Sequence, residues 1–243
     1  MSHVLTPRAR LILDAGERPA EIEGLWSLFD VLMCACGGHA GNAESMDRVA
    51  AFCARSTVQL GAHPSYPDPE GFGRRSPLAT VDASAVSARV TEVVPLVEDA
   101  VASQCQALID IARRRRVSVV AVKPHGALYH DADAHPAIAQ ALLRGATRVL
   151  GRGVTVVGPP SGHLRDQGIR ERLVYAREGF ADRRQRADGS LVPRSEPDAL
   201  IVEPAAAAAQ AAQLASNVEM ICIHSDTPGA LEIARAVREV VRA

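Results

Sequence analysis

This sequence predicts a single-domain α/β fold, a seven-stranded, distorted (β/α) barrel of TIM type spanning residues 1–243. Two observations predict it. Seven short apolar or β-branched runs alternate with longer, Ala-rich, charge-decorated stretches, and titratable side chains gather just after six of the seven runs. Strand–helix alternation implies a parallel sheet covered on its outer faces. Seven units in 243 residues suit a closed or nearly closed barrel with one unit missing or distorted. An open doubly wound sheet satisfies the alternation as well.

In chain order, strands are expected at Arg10–Asp14, Val31–Cys36, Val58–Ala62, Ser118–Val122, Val154–Gly158, Val174–Arg177 and Glu219–His224. Helices are expected at Ala20–Phe29, Ala43–Arg55, Asp82–Arg115, Pro136–Leu150, Gly162–Arg172, Pro204–Ala215 and Pro228–Arg242. Ala205–Ala212 has the highest helix propensity available. Two turn-rich loops follow strands, His63–Pro77 with four prolines and Phe180–Pro197, in which Asp188–Gly189 can close a small hairpin. Long loops of this kind are where an α/β barrel builds its site. No stretch reads as an interdomain linker.

Composition narrows the function. There are 27 Lys+Arg against 28 Asp+Glu, so the chain lacks the cation excess that nucleic acid or an anionic membrane surface requires. No apolar run approaches the ~20 residues of a membrane span, and the first sixteen residues do not read as a secretory signal. Five cysteines, an odd count without paired C-x-x-C spacing, suggest reduced, mostly buried thiols in a cytoplasmic protein.

The strand ends carry the chemistry. Asp14 and Glu17 follow the first run, Gly37–Asn42 with His39 the second, and His63 ends the third. Lys123–Tyr129 with His125 follows the fourth, Glu178, Asp182 and Arg183 the sixth, and His224–Asp226 the seventh. In one parallel sheet these side chains converge on a common mouth. Lys123 at a strand end is a ready clamp for a carboxylate or phosphate, whereas Arg113–Arg116 reads as a solvated helix end. His3, His130, His135 and His163 read as structural. No phosphate loop, dinucleotide fingerprint or nucleophile elbow is present. Carboxylates and imidazoles without such a nucleophile point to general acid–base or metal-assisted attack by water. Asp14, His39 and His63 make a candidate Asp-His-His set for a divalent ion.

Five blocks resemble the LamB/YcsF lactam-utilisation family: Ala35–Gly41, Gly61–Asp68 with Gly71–Arg75, Val122–Tyr129, Phe180–Arg183 with Asp188–Arg194, and Ile223–Ala230. The resemblance implies a seven-stranded barrel similar to that of sugar deacetylases. It also implies ATP-dependent opening of the 5-oxoproline lactam to L-glutamate, with subunits B and C as partners and ATP as a co-substrate bound with them. Asp14, His63, Lys123, His125, Glu178 and Asp226 are then the catalytic candidates. Glu17, His39, Asn42, Tyr129, Asp182, Arg183 and His224 are candidates for substrate binding. Asp14 or Glu178 would serve as base, Lys123 would neutralise the substrate carboxylate or oxyanion, and His63 and His125 would protonate the leaving nitrogen.

The sequence departs from the family pattern at Ile12 (Asn), Arg18 (Gly), Gly38 (Phe), Asn42 (Asp) and Ser225 (Gly). The alternatives are a free-standing metal-dependent deacetylase or amidase and a catalytically degenerate barrel that binds a small carboxylate. The residues leave a homo-oligomer open.

Overall fold

The computed structural model describes residues 8–19, 21–79, 82–186, 190–194 and 196–242. His3 and the Asp188–Gly189 hairpin turn lie outside them. Seven parallel strands close into a barrel in sequence order: β1 (Arg10–Ala15), β2 (Val31–Ala35), β3 (Gln59–His63), β4 (Val119–Val122), β5 (Thr155–Gly158), β6 (Val174–Phe180) and β7 (Met220–His224). β1 pairs with both β2 and β7, which excludes the open sheet.

The helices are α1 (Glu23–Trp26), α2 (Ala43–Ala54), α3 (Val86–Arg115), α4 (Gly126–Ala134), α5 (Pro136–Leu150), α6 (His163–Arg170), α7 (Pro204–Leu214) and α8 (Ala230–Arg242). All seven expected strands form, with β6 running three residues further than expected. α4 is the helix that the sequence pattern does not announce. It opens on Gly126, whose positive φ of 57° lets the chain turn directly from strand end into helix, within a motif that reads as a binding loop. Prolines open α5 and α7 at their first turn, where a missing N–H costs nothing.

Period-two alternation sorts the strand residues into two cores. Leu11, Leu13, Leu32, Leu60, Ile221 and Ile223 face outward and pack with the helices. Ile12, Val31, Met33, Ala121, Val157, Ala176, Met220 and Cys222 fill the barrel interior. The polar strand-end residues sit on this inner face, one pleat above the apolar plug: Asp14 above Ile12, Lys123 above Ala121, Glu178 above Ala176 and His224 above Cys222. Each fully buried aliphatic side chain contributes about 1.5–3 kcal/mol, so the plug is a firm floor for the groups above it. The five cysteines are free and buried. No helix among the described residues is long and apolar enough to cross a membrane.

Candidate active site

The sheet ladder continues past the end of β4 and aims two side chains into the mouth. Lys123 N donates to Ala62 O (2.9 Å) and His125 N to Pro64 O (2.8 Å), so these residues, two apart, keep the inward face. Asp14, His63, Lys123, His125, Tyr129, Arg183 and His224 line one cavity of about 430 Å³ including its opening.

At its base Lys123 Nζ donates to Asp14 Oδ1 (2.7 Å) and Cys222 Sγ (3.1 Å) and pairs with Glu178 Oε1 (2.8 Å). Two of its three hydrogens are directed at Asp14 and Cys222, and Glu178 stands beside it as a second negative charge. Burial opposes its charge, but Asp14, Cys222 and Glu178 outweigh that and hold its pKa well above the usual lysine range. Lys123 therefore sits between Asp14 and Glu178, whose charges offset its own at the base of the cavity where a substrate clamp was expected. Burial would likewise raise the Asp14 carboxyl, yet His63 and Lys123 hold it well below the ordinary value. Asp14 is an ionised, orienting carboxylate and a weak base.

The histidines form a stack beside it. The rings of His39 and His125 lie 3.6 Å apart and parallel, and His63 meets both edge-on. His63 Nδ1 lies 2.8 Å from Lys123 O, and His125 Nε2 lies 2.9 Å from Phe72 O. Carbonyl oxygens only accept, so each of these nitrogens carries the hydrogen. The facing pair, His63 Nε2 and His125 Nδ1, are 3.0 Å apart. Two lone pairs cannot stably face one another at that distance, so a cation belongs between them. A proton there is shared by the two rings, and His63 Nε2 also faces Asp14 Oδ2 at 3.2 Å. Burial and the neighbouring His63 and His39 pull the His125 pKa well below the usual value, and burial brings His39 down to about 4. His125 is thus a neutral proton acceptor, and the expected acid role falls to the shared proton.

Glu17, expected only to bind substrate, turns out to be the carboxyl tuned for proton transfer. Burial and the Asp14 charge raise it to about 7. Its Oε1 is 2.9 Å from His39 Nε2, 3.4 Å from His125 Nδ1 and 3.8 Å from His63 Nε2. Glu21 places it by accepting from the backbone N–H groups of Gly16, Glu17 and Arg18 at 2.8–3.0 Å. The side chain of Ser225, one of the departures, reaches the same carboxylate at 3.2 Å. Gly73 closes the far side. With φ of +65°, it passes so near the stack that a Cβ would come within 2.8 Å of His39 Cβ.

One ligand atom each from Glu17, His39, His63 and His125 lies within 4.8 Å of all the others. Three of these contacts, at 2.9–3.4 Å, match the ~3.3 Å edge of a tetrahedron with ~2.0 Å bonds. Backbone carbonyls on the outer nitrogens of His63 and His125 are the support that metal-ligating histidines carry. The donor set fits a divalent ion, but with Glu17 and His125 in place of Asp14, which groups instead with Cys222 and His224.

Other expected site residues stand elsewhere. Asp182 is fully buried: it takes His224 Nδ1 (3.0 Å), His224 N (2.9 Å) and Thr227 Oγ1 (2.5 Å), and so orients His224 instead of touching a ligand. Burial works against this pair, but their mutual attraction lowers the Asp182 pKa and raises that of His224. Asp226 Oδ2 is taken by both Arg74 (3.1 Å) and Arg194 (3.0 Å), so this carboxylate ties two rim arginines together. Asn42 is the N-cap of α2, in a reciprocal capping box with Ser45, and lines a separate depression. His39 lies behind His125, and Glu178 lies beneath Lys123. His130, read as structural, lines the mouth with Arg74 and Arg194. Ile12 lies a layer below the mouth in the apolar plug. The Gly38 position has no room for a side chain, because Gln104 fills it while bonding to both backbone groups of Ser65.

Fold and mouth together define a TIM-like barrel protein with buried acid–base groups at the carboxyl ends of its strands. The LamB/YcsF family model matches residues 23–243, and the chain belongs to that family. The match begins after β1, the strand that carries Ile12, and after Arg18, another of the departures from the family's first motif. The A subunit of 5-oxoprolinase from Methylococcus capsulatus is 39% identical over 91% of this chain and 85% of that one. Its counterpart in Mycobacterium avium is 40% identical over 86% and 83%. Among solved structures, the lactam utilization protein from Thermus thermophilus aligns with a TM-score of 0.82 at 28% identity, covering 97% of this chain and 96% of that one.

Proposed function

We propose that this chain is the ring-opening component of an ATP-dependent 5-oxoprolinase, converting 5-oxoproline to L-glutamate together with partner subunits B and C. The observation that carries this reading is the likeness to the A subunit of 5-oxoprolinase over most of both chains. The mouth supplies matching chemistry. Asp14 orients a water toward the lactam carbonyl carbon. As water adds, its proton passes into the set formed by Glu17 and the histidines, whose carboxyl titrates near neutrality, where proton transfer in both directions is efficient. The proton shared by His63 and His125 goes to the ring nitrogen as the C–N bond breaks, and Glu17 restores it. The sequence has no G-x-x-x-x-G-K-[ST] motif, which suits ATP being bound with the partners, where it would activate the stable amide by phosphorylating its oxygen. Breaking the C–N bond of that species leaves an acyl phosphate, which a second water cleaves to L-glutamate and orthophosphate.

Glutamate release by the three subunits with ATP tests this. His63→Ala is expected to slow it by about 10²–10⁴-fold, the usual contribution of a positioned acid or base. No ATP-dependent release by the unaltered enzyme, or an unchanged rate in the variant, overturns it.

The four-donor cluster of Glu17, His39, His63 and His125 favours a second reading, a metal-dependent amidase or deacetylase. An ion held by those residues would polarise the carbonyl under attack. Stoichiometric metal in the purified protein, with deacetylation of N-acetyl sugars in the absence of ATP, distinguishes this reading from the first.

A further inference from the structure

We propose that Arg74, Arg183 and Arg194 form a binding subsite for a phosphoryl group at the outer rim of the mouth. They come from two different loops, after β3 and after β6, and all three line both the inner cavity and an adjoining outer one of about 460 Å³. An anion at the junction of the two cavities would therefore be within reach of all of them.

Arg183 is the most telling. More than nine-tenths buried, its side chain makes one hydrogen bond among the described residues, from Nη2 to Val192 O (2.8 Å), and its buried Nε has no acceptor. Burial and the charges of Arg194 and Arg74 pull its pKa down to about 10, which marks cations crowded together out of water. A buried guanidinium with an unused donor is costly unless something anionic completes it.

The charge count selects the ligand. Three guanidiniums carry +3, and the one carboxylate among them, Asp226, which bridges Arg74 and Arg194, carries −1, leaving +2. Asp182, behind Arg183, is already matched by His224. A lone substrate carboxylate would leave half of that charge uncompensated. A phosphoryl group, at about −1.5 to −2 near neutral pH, balances it and offers three acceptor oxygens to planar forks suited to them. Lys123, deeper in the barrel, adds nothing to this excess, because Asp14 and Glu178 already offset its charge. That the phosphoryl group is carried by the substrate rests on the ring-opening reading; the subsite itself does not.

Calorimetric titration of the full chain at pH 8 and low salt tests the subsite, with inorganic phosphate, phosphonoacetate and 5-oxoproline as probes. Phosphate is expected to bind the unaltered protein and to bind at least tenfold more weakly to Arg183→Gln. Arg74→Gln, at a half-exposed position where folding is spared, should show the same loss. Arg48→Gln, which lines a different depression, should keep full affinity. 5-Oxoproline, a monoanion, should lose less than phosphate in both rim variants. Tighter binding of phosphonoacetate than of phosphate supports a substrate-borne phosphoryl group, and equal binding supports released orthophosphate; both sustain the subsite. Absence of phosphate binding, undiminished affinity in Arg74→Gln and Arg183→Gln, or an equal loss for 5-oxoproline overturns it. Phosphate binding without ATP-dependent glutamate release would leave the subsite standing and remove the proposed function.

Discussion

The two sides of the mouth are made differently. Asp14, His63, Lys123 and His125 stand on strand ends or within three residues of one, tied into the barrel's own ladder and resting on its apolar plug. Arg74 and Arg194 stand on loops and meet through Asp226, and Arg183, in the segment after β6, joins them at the cavity all three line. Proton transfer tolerates errors of a few tenths of an ångström poorly, and its groups sit where backbone hydrogen bonds fix them. Holding an anion depends on summed charge, which long flexible side chains on loops supply well.

The widest gap between the two sides should appear in stability. Lys123→Met leaves Asp14 and Glu178 facing each other without a cation. Breaking a buried pair costs about 3–5 kcal/mol, so the urea midpoint should fall sharply. Arg74→Met removes a half-exposed ion pair worth about 0–1 kcal/mol and should barely move it. Equal losses would erase the distinction between a structural and a loop-borne wall.

The pH profile of stability sharpens it further, measured on chelator-treated protein. Glu17 is raised from 4.5 to about 7. Between those values the folded chain keeps a proton that the unfolded chain has released, so this group lowers stability as pH rises through that window. His39, lowered from 6.5 to about 4, acts in the opposite sense: the unfolded chain holds the extra proton, and stability rises over about pH 4–6.5. The two contributions oppose one another from about pH 4.5 to 6.5. Glu17→Gln removes the first, so stability of the variant should climb with pH more steeply than that of the unaltered protein. Parallel profiles would mean that Glu17 does not titrate abnormally.

The smallest effect belongs to a residue outside both walls. Asn42→Ala should cost about 1 kcal/mol through the lost cap on α2 and leave glutamate release unchanged. A large loss of turnover would return Asn42 to the site.

Much of the strand-borne wall is legible in the chain's own pattern. Asp14, Lys123, Glu178 and His224 each stand two residues after an apolar inward residue, and that spacing alone assigns them to one face. His63 and His125 continue the same period of two, after Gly61 and Lys123. Three kinds of information are hidden. Helix α4 is masked because its start looks like a glycine-containing loop. Cys222 reads as one buried thiol among five, although it shares a strand face with His224 and touches Lys123. Asp182, Asp226 and Glu17 carry ordinary carboxylates in the sequence, and nothing local says that the first orients a histidine, the second holds arginines and the third titrates near neutrality.

The order of residues thus settled the barrel, its inner face and the inventory of acids, bases and cations at its rim, because period two and strand ends are local properties of a chain. Which of those groups is charged, which proton is shared and which arginines meet was decided only when distant segments closed around them, since desolvation and Coulomb attraction depend on neighbours that lie far away in sequence.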